Sequence, residues 1–210
     1  MLDELYWRSR LNMHLQSKQQ LKGLYLRLGN WAMGPASICM IIDALSYVKN
    51  PRVLEFGLGE STRVISRFSP ERHLVIEHDA SWAERFKSSY VDKSIPEISI
   101  FPSLTNEGSS SYDFGPSPID FNYNIFVIDG PFGSQKNSRS NILDIINGWS
   151  VDQRFVIILD DVHRPGELQT FINIKALLEA KEIGFKSKKI SDLKKVGLIC
   201  SEHYWPLISL

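Results

Sequence analysis

The sequence predicts a doubly wound α/β fold, a parallel sheet with helices on both faces, and two observations carry that expectation. From Arg52 onward, short and nearly continuous apolar strands alternate with helical segments. The first of those strands runs straight into a turn containing Gly57 and Gly59 that opens the next helix. Strands buried on both faces have no polar side to show, so continuous apolar runs are what a parallel sheet requires.

Taken in order, the patterning predicts strands over 52–56, 73–78, 98–101, 123–129 and 155–159, with helices over 62–68, 81–90 and 167–183. Ser81 and Glu84 have the spacing of a capping box. The chain then changes character. Segments 185–190 and 197–201 follow one another without a helix between them and predict an antiparallel hairpin joined to the sheet. The SDLKKV turn connecting them is polar, and its lysines read as solvated.

Ahead of the first strand, residues 1–34 form a helical extension to a main domain over 35–210. Leu2, Leu5, Leu11, Leu15, Leu21, Leu24 and Leu28 fall near helical spacing and predict one or two amphipathic helices. Covering the core is their leading role, with shaping a substrate entrance or forming a homodimer contact as alternatives. Pro35 suits the first turn of a further helix carrying Ile38, Ile41, Ile42, Leu45 and Val48. Two stretches break the regularity: 102–122, rich in Ser, Gly and Pro, reads as a mobile segment or lid, and 130–140 as a polar loop after a strand. Both belong to the carboxyl edge, where open α/β sheets bind ligands.

Composition narrows the classes of function. Twenty-four Lys and Arg balance 24 Asp and Glu, so no basic excess favours a nucleic-acid partner. The apolar run over 38–45 is broken by Asp43 and falls short of the roughly 20 residues that span a bilayer. Charged residues among the first ten contradict the order of a secretory signal, and the expected location is cytoplasmic. Cys39 and Cys200 read as two buried thiols, not as a metal or disulfide framework.

The first strand and its turn read RVLEFGLGEST. Gly57 and Gly59 allow a tight turn and close approach of a ligand, and Ser61 and Thr62 can cap the following helix. Thr62 stands where the dinucleotide fingerprint has its third glycine, which argues against a standard NAD or FAD site. Glu55 lies inside an otherwise apolar strand, so it must receive hydrogen bonds from a cationic ligand or a neighbouring loop. Glu77 closes the second strand about 20 residues after the turn, where a carboxylate can accept ribose hydroxyls. A charge at a helix start is the alternative for Glu77, a role Asp79 can also fill.

These residues resemble class I S-adenosylmethionine-dependent methyltransferases over about residues 50–201. The resemblance implies a Rossmann-like seven-stranded sheet of order 3-2-1-4-5-7-6. It also implies Glu55 near the methionine part of the cofactor, Glu77 on its ribose, and His78 and Asp129 beside it. The combination of LEFGLG, IEHDASW, FVIDGPFG with Arg139, and LDDVHRPGE is similar to glycan methyltransferases of the glucuronoxylan O-methyltransferase type and bacterial polysaccharide-locus relatives. That likeness implies methyl transfer to a sugar hydroxyl.

Asp129, Asp160 and Asp161 come at strand ends on one edge, where hard carboxylate oxygens suit Mg²⁺. They also match the metal site of catechol-type O-methyltransferases. The alternative is that Asp129 supports the following turn and the Asp pair caps local backbone. Asp129 and Asp160 join His163 as catalytic candidates. His163 is a candidate for taking the acceptor's proton, with His78 its competitor. Lys136, Arg139 and Arg164 could hold a carboxylate or phosphate on the acceptor, or be solvated loop cations. Two other functions fit the same residues: a metal-dependent methyltransferase acting on a phenol or antibiotic sugar, and a nucleoside-binding module without turnover.

Overall fold

The computed structural model describes residues 2–28, 32–90, 95–115, 120, 122–192 and 194–209. Its centre is a seven-stranded sheet built from β1 (Arg52–Phe56), β2 (Arg72–Glu77), β3 (Glu97–Ile100), β6 (Ile125–Ile128), β7 (Val156–Leu159), β8 (Phe185–Ser191) and β9 (Lys195–Ser201). The order is β3-β2-β1-β6-β7-β9-β8, and β9 runs antiparallel to both of its neighbours. With a separate two-stranded hairpin, β4 (Ser103–Asn106) and β5 (Ser109–Tyr112), set aside, this is the expected 3-2-1-4-5-7-6 arrangement. The four central strands end where the glycine turn and the candidate carboxylates stand.

Apolar strands of four to six residues explain the sheet, because β6 (IFVI) and β7 (VIIL) are buried along their whole length. Val53, Ile125, Val127, Val156 and Ile158 face one layer, containing α1 (Leu2–Ser17), α2 (Pro35–Tyr47) and α3 (Glu60–Arg67). Leu54, Phe56, Phe126, Ile157 and Leu159 face the other, with α5 (Asn141–Asn147) and α6 (Pro165–Ala180). The helix at Pro35 is buried from Pro35 to Leu45, not on one side alone, because α1 lies over its outer face. Trp7, Leu11, Leu21 and Leu24 thereby join the core, which is the packing role expected first for the extension. Asp43 is accommodated there by Arg10 at 2.7 Å and His14 at 3.3 Å. Cys39 and Cys200 are both buried. No helix among the described residues is long and apolar enough to cross a membrane.

Four local expectations change. α3 begins at Glu60, two residues early, since Gly59 serves as its N-cap. α4 (Ala80–Ser89) is capped by Asp79, whose carboxylate accepts the Trp82 N–H at 2.9 Å, so Ser81 lies inside the helix and forms no capping box. The 102–122 stretch, for which no strands were expected, holds an antiparallel hairpin of β4 (Ser103–Asn106) and β5 (Ser109–Tyr112), while 116–119 and 121 lie outside the described residues. The loop after β6 leads into α5, a helix whose short, β-branched NILDIIN gives little helical period.

Asn141, at the start of α5, locks that hairpin. Its Oδ1 accepts the Tyr112 N–H at 2.7 Å and its Nδ2 donates to the Tyr112 carbonyl at 2.9 Å, all buried. Asn141→Ala should therefore destabilise the protein by about 1–3 kcal/mol for each orphaned backbone group, read as the shift in urea unfolding. Asn141→Asp keeps the acceptor but sets a second carboxylate oxygen against the Tyr112 carbonyl, so it should not restore the stability at neutral pH.

Candidate active site at the carboxyl edge of the sheet

The glycine turn is shaped by a neighbouring strand end on one side and by open space on the other. Gly57 has φ +94°, and a Cβ there would lie 3.1 Å from the Asp129 carbonyl carbon and the Gly130 nitrogen. Only glycine suits that backbone and that approach. A Cβ on Gly59 would meet nothing within 4 Å, leaving room at the N-terminus of α3 for a ligand. Thr62 fills the place of the missing third glycine, its hydroxyl accepting the Gly59 N–H at 3.0 Å.

Glu55 is fully buried, and both of its oxygens are met by the chain. Ser61 donates its hydroxyl to one at 2.5 Å, and His73 Nε2 lies 2.9 Å from the other. The buried charge expected to need a ligand or loop is thus answered by α3 and β2, and His73 was not foreseen. Glu77 ties the turn to the end of β2: Oε2 accepts the Leu58 N–H at 3.0 Å, and Oε1 accepts the N–H groups of His78 (2.6 Å) and Asp79 (2.9 Å). A carboxylate has about four acceptor positions, so these three bonds leave one for a ribose hydroxyl. His78 Nδ1 lies 2.8 Å from Glu77 Oε1, and its ring meets the exposed Phe132 edge-on at 4.9 Å. Tyr112 brings a buried hydroxyl, without a hydrogen-bond partner among the described residues, beside Gly130, where even a Cβ would collide with it. Burial pushes that phenol well above its usual range.

At the ends of β6 and β7, Asp129, Asp160 and Asp161 present oxygens within 4.8 Å of one another. Adjacent strand residues normally face opposite ways, but Asp161 has φ +62°, which turns its side chain back toward Asp160's partners. Ser37 near the start of α2 donates its hydroxyl to Asp160 Oδ1 at 2.7 Å. Arg139 belongs to the interior, only 4% exposed, and is no loop cation open to an acceptor. Its Nη2 lies 3.2 Å from Asp161 and 3.3 Å from Asp129, and its other nitrogens donate to the carbonyls of Pro131 and Asp160. Burial works against its charge, but Asp129, Asp160, Asp161 and Glu167 outweigh it.

Arg164 is half exposed, 3.1 Å from Asp161. Lys136 is exposed, and its backbone N–H bonds the Gly108 carbonyl at 2.7 Å. His163 is also exposed. Lys194, expected as a solvated lysine of the terminal turn, instead lies 3.6 Å from Asp160 Oδ2 and 3.4 Å from Asp161 Oδ1 with its side chain 16% exposed. Glu167, buried under Gly133, is a further carboxylate not foreseen. The three carboxylates do converge as a metal site requires, and Asp160 Oδ2 and Asp161 Oδ1 have no hydrogen-bond partner among the described residues, but Arg139 and Lys194 also face the cluster. The cofactor side, with its space at Gly59, the free position on Glu77 and the unpartnered Tyr112 hydroxyl, does fit a nucleoside.

A crystal structure of a ribosomal protein L11 methylase from Lactobacillus delbrueckii subsp. bulgaricus is similar over 84% of this chain and 81% of that chain, with 13% identity and a TM-score of 0.46. No protein-family model matches the sequence, and no curated protein matches it.

Burial, then the neighbouring Asp160, raises Asp129 to about 8, and burial likewise raises Asp160. Between the ordinary carboxylate range and about 8, the native state therefore binds a proton that the unfolded chain releases, and stability falls as pH rises through that window. Asp129→Asn removes this dependence. Its melting temperature should be flatter than wild type between pH 5 and 9, with the greatest relative gain at the alkaline end. Parallel melting curves for the two proteins would refute the shift.

Proposed function

We propose that the chain is an S-adenosylmethionine-dependent O-methyltransferase whose acceptor is a sugar hydroxyl of a glycan or glycan precursor. The observation carrying this reading is an acid-lined glycine turn in a sheet whose last strand is antiparallel. Glu60 occupies the first turn of α3, and Glu77 closes β2 beside it. Glu60 is paired with Arg63 at 3.0 Å, so Glu77 is the carboxylate left to a ligand, placed for a nucleoside's ribose hydroxyl.

When bound, the cofactor supplies a methyl group on a sulfonium, open to in-line attack by an oxygen. Glu77 and the Gly59 amide region would hold the nucleoside, and the chain's remaining work is to align the acceptor and accept one proton. A groove of about 480 Å³ suits the acceptor. Thr105 and Gly108 of the hairpin, Gly133, Ser134 and Gln135 of the following loop, and Arg164 line it. Thr105, Ser134, Gln135 and Arg164 offer polar groups in a lining that Pro165 and the glycines complete, and those groups are what a hydroxyl-bearing molecule could bond. The sugar specificity rests on the motif resemblance together with this groove. Arg164 and Lys136 are the cations still placed to meet an acidic sugar.

Calorimetric titration should give micromolar-range binding of S-adenosylmethionine and S-adenosylhomocysteine and little of NAD. Equal or tighter NAD binding would overturn the reading. Glu77→Ala should weaken cofactor binding by about 1–3 kcal/mol through lost charge-assisted hydrogen bonds. An unchanged affinity in the folded variant would remove Glu77 from the site.

His163, exposed in the turn between β7 and α6, is the group we assign to receive the hydroxyl proton. His163→Ala should lower turnover by roughly 100-fold or more while cofactor affinity stays at the wild-type value. Wild-type turnover would make it an ordinary surface residue and pass the test to His78.

A further inference from the structure

We propose that Lys194 is the resident cation of the carboxylate cluster, its ammonium standing between Asp160 and Asp161 where a divalent ion would otherwise bind, so that the cluster takes up no metal. The inference is independent of which reaction the site performs.

The geometry is specific. Asp160 Oδ2 and Asp161 Oδ1 are the two oxygens of that pair with no hydrogen-bond partner among the described residues, and both face Lys194 Nζ, at 3.6 and 3.4 Å. The remaining oxygens of the pair are already engaged, Asp160 Oδ1 by Ser37 and Asp161 Oδ2 by Arg139 and Arg164. A divalent ion needs oxygens at about 2.0–2.6 Å on several sides. Here the two oxygens left for it have an ammonium between them.

Lys194 is also held from behind. Its Nζ donates to the Ala32 carbonyl at 3.1 Å, and its backbone N–H donates to Asp192 Oδ1 at 2.8 Å. Asp192 Oδ2 in turn accepts the Ala36 N–H at 2.7 Å, in the first turn of α2. Gly34 has no Cβ because one would stand 2.6 Å from that same carboxylate oxygen. The terminal hairpin is therefore clamped to the start of α2 by Asp192, and the clamp delivers Lys194 to the cluster. Charge agrees with the geometry: the four carboxyl groups of Asp129, Asp160, Asp161 and Glu167 face the three cations Arg139, Arg164 and Lys194, which leaves at most one net negative charge. An added dication would leave the buried group positive, at a desolvation cost nothing there offsets.

Paramagnetic resonance of Mn²⁺ titrated with the full chain tests this directly, since bound ion loses the sharp free-ion signal. Wild type and Lys194→Arg should leave the signal unchanged. Lys194→Ala should deplete it stoichiometrically, and Lys194→Ala combined with Asp161→Asn should restore it. Depletion by the wild type would overturn the proposal. So would a folded Lys194→Ala protein that leaves the signal intact. Lys194→Met, which keeps the aliphatic stem, replaces the alanine variant if that one fails to fold, and is read by the same two outcomes.

Discussion

A guanidinium excluded from water must have its N–H groups and its charge answered by the protein, and at Arg139 that requirement organises the carboxyl edge of the sheet. The side chain is 3% exposed, and its neighbours come from the ends of β6 and β7, from the loop that carries it and from α6. Taking away one partner of such a buried pair typically costs 3–5 kcal/mol, because the survivor's charge is left uncompensated. The elements around Arg139 are thus fixed relative to one another more firmly than loop connections alone would hold them. Two residues adopt left-handed backbone to allow it, Arg139 at φ +60° and Asp161 at φ +62°. Neither is glycine, and such conformations persist where the surroundings over-determine them.

The loop bearing Arg139 is seated on α6 by the same logic of close approach. Any side chain at Gly166 would collide with Ser134 and Ser138, and Thr170 one turn later donates its hydroxyl to the Ser138 carbonyl at 2.6 Å. Gly57 and Gly130 perform the matching function on the cofactor side, where the Gly57 turn packs against the Asp129–Gly130 backbone. The Asp129 N–H meanwhile continues the ladder by donating to the Phe56 carbonyl at 2.8 Å. The nucleoside end and the carboxylate cluster are consequently joined through one short piece of β6. A distortion at either end is passed to the other through backbone, with no soft side chain between.

What could be read from the sequence follows from the range of the interactions. The strands were legible because burial on both faces writes a local, uninterrupted apolar run, and the strand order followed from the terminal hairpin and the family-like motifs. Glu55 was legible as an anomaly, since a carboxylate inside RVLEF demands partners; His73, 18 positions away, was not, because only the β1–β2 register brings them together. Asp129, Asp160 and Asp161 could be placed at one edge by counting strand ends. Lys194 could not. Within SDLKKV it looks like any turn lysine, and its burial depends on Asp192 reaching the first turn of α2 across 156 positions of chain. Arg139 failed for a similar reason, since a polar loop hides the fact that its arginine points inward. The β4–β5 hairpin was masked by serine-rich composition, and Asn141, which anchors it, lies 29 residues beyond its partner.

The two sides of the site carry different electrostatic designs. Around the glycine turn, Glu77 is held by backbone N–H groups, Glu60 is paired with Arg63 at 3.0 Å, and Glu55 is balanced from within the fold. Across Asp129, cations of the chain neutralise carboxylates almost one for one, so that region contributes fixed polar groups and little net field. Asp129 belongs to both sides and is the least enclosed of the three clustered aspartates, with its side chain 20% exposed against 0% and 3% for the other two. Burial and then the neighbouring Asp160 raise its carboxyl to about 8, which favours the uncharged form more than in an ordinary carboxylate. An ionised carboxylate in the same place would oppose the neighbouring Asp160, and burial at the strand end disfavours it.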